Sequence, residues 1–225
     1  MKIVAIYFER KKKFRSFKRV FFKSCKKIMP KTKCQVIEIP LPENIDHKRD
    51  TAYAFLAACK YALRSKVFLA ICDIDLMFQK SILDIEKVKF DIAITTRQSN
   101  MRYNTGLWFY RPTKKAKIFV KRWYNNTRKI LHNFCEYEEF SHQYGGIDQA
   151  ALHTTINENK KIGAKIVELS CLEWNATQSE WKHITENNRV IHVKSGLSGA
   201  CFGKPIPEGH EYMKKIIDIW KGYAK

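Results

Sequence analysis

Val67-Phe-Leu-Ala-Ile-Cys72 runs straight into Asp73-Ile-Asp75. The run is mostly apolar, β-prone and short, which suits a buried strand in a sheet core better than a helix. Two carboxylates one residue apart stand at its C-terminal end. Open α/β sheets bind ligands in the crevice beyond the carboxyl ends of their strands. Hard oxygen ligands at that place suit Mg²⁺ or Mn²⁺, which can in turn hold a diphosphate. Aspartate is also common wherever a strand turns into a loop, so the pair takes its meaning from the rest of the chain.

On either side of this run the elements alternate. Residues 2–8 read as a first strand, 11–28 as a basic helix, and Lys33 to Ile39 as a second strand closed by Pro40 and Pro42. Asp50 caps a helix over Thr51 to Arg64, whose Ala54, Phe55, Ala58, Tyr61 and Ala62 share one face. Beyond strand 67–72 come strands Asp91–Thr95 and Thr105–Tyr110. A helix over 114–131 then presents Ala116, Phe119, Val120, Trp123 and Ile130. Gly145-Gly146 breaks the chain before a helix over Asp148 to Ile156. Short strands at 165–169 and 189–193 precede a closing helix from Glu208 to Tyr223. The βαβαβ order of the first 110 residues argues for an α/β fold with a mainly parallel central sheet flanked by helices. At 225 residues the chain fits one domain with a full core, or one with a small appendage.

Hydrophobic content of 45% and aromatic content of 13% describe a globular protein and exclude a disordered one. No apolar run is long enough for a transmembrane segment, and Met1–Phe8 is too short for a signal-peptide core. The seven cysteines are odd in number and lack C-x-x-C spacing, and Cys59 and Cys72 fall in apolar runs. A reduced, cytoplasmic setting without a zinc site is the simplest account. In that setting the sequons at Asn125 and Asn175 carry no weight.

The formal net charge is +20, and Arg10 to Lys33 holds twelve Lys or Arg with no acid, leaving 20 − 12 = +8 elsewhere. Phe14, Phe17, Val20, Phe21 and Ile28 recur through this segment at helical spacing, giving an amphipathic helix with a basic outer face. A solvated face explains it plainly. The sharper reading is a footprint for a polyanion, either nucleic acid or an anionic membrane or lipopolysaccharide surface. In the closing helix Tyr212, Ile216, Ile219 and Trp220 alternate with Lys214, Lys215 and Lys221, which suits membrane-surface association or plain docking on the domain.

Four segments stand in register. Asp73-Ile-Asp75 ends a strand, and Tyr103-Asn-Thr-Gly106-Leu-Trp-Phe-Tyr-Arg-Pro112-Thr113 opens another that leads to Trp123. Gly146-Ile-Asp148-Gln149 starts a helix, and Val190-Ile-His192-Val-Lys194 is a late strand. In this order the chain resembles the nucleotide-diphospho-sugar transferases of the GT-A glycosyltransferase fold, over roughly residues 1–200. The resemblance implies a single GT-A-like, Rossmann-like domain over 1–225. Its nucleotide-binding half would be 1–110, its sugar and acceptor half 111–200, and its C-terminal helix 205–225.

The resemblance also implies roles. Asp73 and Asp75 hold Mn²⁺ or Mg²⁺, which neutralises charge on the departing nucleotide. His192 matches the family's late metal ligand, against the alternative of a satisfied buried histidine. Lys194, with Gly196 and Gly199, looks like a phosphate-contacting loop, although Lys204-Pro205 competes for that role. Asp148 and Gln149 match an Asp-Gln pair beside the donor sugar, where Asp148 would steady positive charge at the anomeric carbon; a helix cap is its plain alternative. Asn104 and Gly106 suit sugar contacts or a turn. Trp174-Asn175 resembles the acceptor side, with core packing as the other account for the tryptophan. Tyr7 falls near the base, and Arg49 near a phosphate.

The function that follows is metal-dependent transfer of a sugar, with a lean to retention, from a nucleotide-diphosphate donor, a UDP-sugar favoured. The acceptor is a polyanion, first a hydroxylated base flipped out of DNA. A lipopolysaccharide or other cell-surface glycan is the rival acceptor. A nucleotidyltransferase and a non-enzymatic basic nucleic-acid-binding domain are the readings from other classes, and the second leaves the carboxylates and His192 unexplained.

Overall fold

The computed structural model describes residues 1–8, 13–40, 47–99 and 101–225. In chain order the elements are β1 (Lys2–Phe8), α1 (Lys13–Ile28), β2 (Lys33–Ile39), α2 (His47–Arg64), β3 (Leu69–Cys72), β4 (Leu76–Phe78), β5 (Ile92–Thr96) and β6 (Tyr103–Tyr110). There follow α3 (Lys114–His132), α4 (Phe134–Gln143), α5 (Ile147–Asn157), α6 (Asn159–Ile162), β7 (Ile166–Ser170), α7 (Cys171–Trp174), β8 (Val190–His192), α8 (Ser195–Cys201) and α9 (Met213–Ala224).

Six strands form one sheet in the order β2-β1-β3-β6-β5-β7, and β4 pairs with β8 in a second, small sheet. β2, β1, β3, β5 and β7 run the same way; β6 alone is antiparallel to both its neighbours. Its reversal decides where the chemistry lies. The first residues of β6, not its last, share the sheet edge reached by the C-terminal ends of the other five.

Each face of the sheet buries its own apolar layer. On one, Phe17, Val20 and Phe21 of α1 pack with Ile216 and Trp220 of α9 and with the small sheet. On the other, Phe55 and Cys59 of α2, Phe119 and Trp123 of α3 and Ala151 of α5 cover Ile71, Ile94 and Trp108. The period that made α1, α2 and α3 legible is therefore the stripe each one buries. α3 is capped by Thr113, whose hydroxyl accepts the Ala116 N–H.

Several expectations shift. Val67 is 51% exposed, and the strand begins at Leu69. α2 begins at His47, which puts Asp50 inside its first turn and not at its cap. The closing helix starts late, at Met213, because Gly209 turns the preceding segment at a φ of 74°. Ile216 and Trp220 of that helix are buried against α1 and α8, so its apolar face is spent inside the fold and is not open to a membrane. The reduced cysteine set is corrected as well: Cys25 of α1 and Cys34 of β2 form a disulfide, a pairing across the α1–β2 turn that no spacing motif marks. Pro42 and the first residues assigned to the basic helix, with Arg10, lie outside the described residues.

Candidate active site

β5 and β6 fall out of step where the site begins. Ile94 pairs with Trp108, yet Thr95 pairs with Asn104, so β6 bulges over Thr105–Leu107. The bulge is held from within. The Asn104 side-chain oxygen accepts the Gly106 N–H at 2.8 Å, and Thr95 Oγ1 donates to the Asn104 carbonyl at 2.9 Å. Asn175 Nδ2 reaches both Asn104 Oδ1 (2.8 Å) and Thr95 Oγ1 (3.2 Å). All three side chains are buried. The Gly106 carbonyl in turn accepts the Asp73 N–H at 2.8 Å, which ties the bulge to the end of β3.

Beside it three side chains converge. His192 Nε2 lies 3.0 Å from Asp75 Oδ1 and 3.4 Å from Asp73 Oδ2, and one ligand atom from each residue falls within 4.8 Å of the others. His192 is placed by β8, which pairs with β4 directly after the carboxylates, so Leu76 faces His192 across two strands. Its ring packs on Gly106: a Cβ there would sit 2.5 Å from Cε1 and 2.8 Å from Nδ1. Only glycine allows this approach. Two carboxylates and an imidazole nitrogen are donors that a divalent cation takes, and imidazole suits Mn²⁺ better than Mg²⁺.

The electrostatics separate the two aspartates. Burial pushes the Asp75 carboxyl up, but the charge and hydrogen bond of His192, with the charge of Lys194, outweigh it and leave Asp75 below its ordinary value. Asp73 is raised to about 6, first by desolvation and then by Asp75 and Asp148, against the pull of His192 and Lys194. More than half of the Asp73 side chain, 53%, still stays open to the cleft.

A cleft of about 390 Å³ opens over these strand ends and takes in Tyr7, Asp73, Asp75, Asn104, Gly106, Asp148, Gln149, His192 and Lys194. Gly145 and Gly146, both at positive φ, turn the chain into α5. Asp148 then stands in the first helical turn, where its carboxyl accepts from Thr105 Oγ1 and from the backbone N–H groups of Asp148 and Gln149. Burial raises its pKa in spite of these bonds. Trp123 Nε1 donates to the Asp148 carbonyl at 2.9 Å, which locks the turn to α3. Gln149 Nε2 donates to the Gly145 carbonyl at 2.7 Å, and its buried Oε1 has no hydrogen-bond partner among the described residues. Burial, then Arg97, lowers the Lys194 pKa. Tyr7 stacks on Phe14 at the β1 end of the cleft.

Three expected residues stand elsewhere. The Arg49 guanidinium lies over the Phe134 ring at 4.9 Å and does not line the cleft. Trp174 packs edge-on against Phe109 under the Arg189 guanidinium, as core. Asn175 is wholly buried and works behind the site, not in it. The Lys204 stem rests near Gly199, away from the cleft lining. Thr105 and Thr95 join the site unannounced, because a threonine in a strand gives no signal of the bond it will make.

Comparison with known proteins bears on the fold and the family. No curated protein matches the chain. Among solved structures, a glycosyltransferase involved in the glycosylation of the major capsid of PBCV-1 superposes with a TM-score of 0.58 at 12% identity, over 88% of this chain and 98% of that one. That likeness is one of fold. A family model, nucleotide-diphospho-sugar transferase, matches residues 63–197, more than half of the chain and the stretch holding both aspartates, the bulge, Asp148 and His192. The chain belongs to the nucleotide-diphospho-sugar transferases, and it is a nucleotide-sugar-dependent glycosyltransferase.

Proposed function

We propose that the protein moves one sugar from a nucleotide-diphosphate donor, a UDP-sugar in the first instance, to a hydroxyl of an anionic acceptor, with Mn²⁺ or Mg²⁺ held by Asp73, Asp75 and His192. The convergence of those three side chains at the strand ends carries the reading. A cation there supplies charge neutralisation for the departing nucleoside diphosphate. The chain's own groups do the rest. Tyr7 offers the base an aromatic face at the β1 end, and Lys194 faces the diphosphate. Asn104 and Gly106 shape the wall beside the sugar. Asp148, held by Thr105, puts negative charge where the anomeric carbon becomes positive, which suits retention of configuration. Gln149 has a free amide oxygen for a sugar hydroxyl. Residues from 1–110 and 111–200 share the one cleft on this reading.

A hydroxylated base in DNA is the acceptor the charge favours. Arg15, Arg19, Lys23, Lys26 and Lys27 are exposed along α1, which begins at the Tyr7 end of the cleft. The enzyme would then work in the cytoplasm, although the disulfide adds nothing to that placement. Among the described residues no helix is long and apolar enough to cross a membrane. A surface-glycan acceptor is the second reading, since the viral neighbour acts in glycosylation of a capsid protein.

Incubation with a panel of UDP- and GDP-sugars, with Mn²⁺ or with chelator, tests the chemistry through nucleoside diphosphate release. No donor hydrolysis with any sugar would sink it. Salt-titrated binding to DNA tests the acceptor: a log K that barely moves with log salt turns the choice to the glycan.

A further inference from the structure

Arg97 follows the last residue of β5, and its backbone N–H donates to the Arg102 carbonyl at 2.6 Å to close the turn into β6. It is half-buried, yet its guanidinium makes no hydrogen bond or ion pair among the described residues, and its Nε is fully buried without a partner. Arg49 Nε and Arg111 Nε are likewise buried without a partner among the described residues, but Arg49 lies over the Phe134 ring and the Arg111 guanidinium still bonds through its other nitrogens. Arg189 binds Asp84, Glu173 and the Ser81 carbonyl, Arg111 two carbonyls, and Arg102 pairs with Glu168. A half-buried guanidinium with no partner among the described residues, and its Nε–H fully buried, is an arrangement that a bound anion would explain.

Its surroundings supply one carboxylate, Glu180, and no ion pair to it among the described residues. The charge of Arg97 bears on Glu180, Cys171 and Lys194. The Glu180 carboxylate is already spent on the Thr177 N–H and hydroxyl and on the Ser179 hydroxyl. Lys194 also has no side-chain bond or ion pair among the described residues, so two positive groups stand side by side.

The sheet order separates this group from the carboxylates. Along the sheet edge, β1-β3-β6-β5 carries Tyr7, the carboxylates, the Asn104–Gly106 bulge and Arg97 in turn; Arg97 is outside the cleft lining, beside Lys194, which lines it. Neighbouring strands are about 4.8 Å apart, so Arg97 stands one strand beyond the sugar wall and roughly 10 Å beyond the carboxylates. The donor's phosphates belong with the carboxylates. On that reading the β5 end, past Lys194, is left to the acceptor.

We propose that Arg97 selects the acceptor by binding an oxyanion, phosphate or carboxylate, carried close to the hydroxyl that receives the sugar. This rests on the reading of an anionic acceptor. The guanidinium offers two parallel N–H groups to such an oxyanion, which lysine does not.

The test loads the full-length protein with UDP and Mn²⁺, then titrates two pairs of probes. One pair is glucose 6-phosphate and glucose. The other is a hydroxymethylcytosine oligonucleotide with either a phosphodiester or an uncharged methylphosphonate at the modified nucleotide. Wild type should bind the charged member of one pair more tightly, and which pair does so names the source of the oxyanion. Arg97→Ala should weaken that binding on the order of tenfold to a hundredfold and erase the preference, with Arg97→Lys in between. UDP affinity should stay within about twofold of wild type, reporting an intact donor site. A preference that survives Arg97→Ala overturns the proposal alone, as does an equal loss of UDP affinity. If wild type shows no preference in either pair, the proposal and the anionic-acceptor reading fall together.

Discussion

Two groups of polar side chains meet on neighbouring strand ends and are built in opposite ways. Thr95, Asn104 and Asn175 are buried and bonded to one another. Asp73, Asp75 and His192 crowd together with like charges adjacent, and much of Asp73 is left open. The first group stabilises the fold; in the second the raised Asp73 pKa records a cost, while His192 holds Asp75 below its ordinary value. The lesson is one of order. The closed network fixes the β6 bulge, and the bulge holds the Asp73 backbone and the His192 ring where an unsatisfied cluster can persist.

Breaking the open cluster should hurt function most. Asp75→Ala should cut sugar transfer on the order of 10²–10³-fold, about 3–4 kcal/mol of lost charge stabilisation. Its melting point without metal should fall slightly, since the ionised carboxylate loses its contact with His192, and a fall larger than that of Asn175→Ala would show that the cluster is structural. Gly106→Ala acts across the boundary between the groups. Its Cβ forces the His192 ring aside, so calorimetric Mn²⁺ affinity should drop about 10–100-fold.

The closed network should show itself in stability instead. Asn175→Ala removes two buried bonds, and urea unfolding should register a loss of about 2 kcal/mol. Metal affinity should fall less than in Gly106→Ala; the reverse ranking would contradict the division drawn here.

The smallest effect is in pH, and its two signs oppose. A cation takes the ionised carboxylate, so Mn²⁺ affinity should be flat above about pH 7 and decline by at most about tenfold per unit below 6, as Asp73 takes up its proton. For the metal-free protein, a carboxyl with a raised folded pKa destabilises above that pKa, so melting points in chelator should rise as pH falls from about 6 towards 4. Asp73→Asn should remove both slopes.

Much of this was legible in the sequence. A buried run ending in Asp73-Ile-Asp75 and helices with one apolar stripe are local patterns, and local patterns survive folding. Partner choice is not local. β4 is three residues long and directly follows the carboxylates, so nothing announces that it pairs with β8 and delivers His192. Asn175 matches a family position on the acceptor side, yet its amide turns inward to Asn104. Arg49 holds an aromatic ring. Arg97 is a lone basic residue after a strand, and only the count of its missing bonds marks it out. The basic helix was plain in outline, whereas the α9 stripe was ambiguous until Trp220 was found inside.

The reversed strand has a consequence for how such an enzyme changes its target. Groups on the donor side come from β1, β3, α5 and β8, far apart in the chain, so altering the donor demands concerted change. Because β6 doubles back on β5, the acceptor edge, on the proposal above, belongs to the short connection between these two strands, which the Arg97–Arg102 backbone bond closes. A lineage can rewrite that turn in a single event and leave the catalytic frame standing, so relatives with the same donor should diverge first there, and grafting the turn alone should carry acceptor preference from one to another.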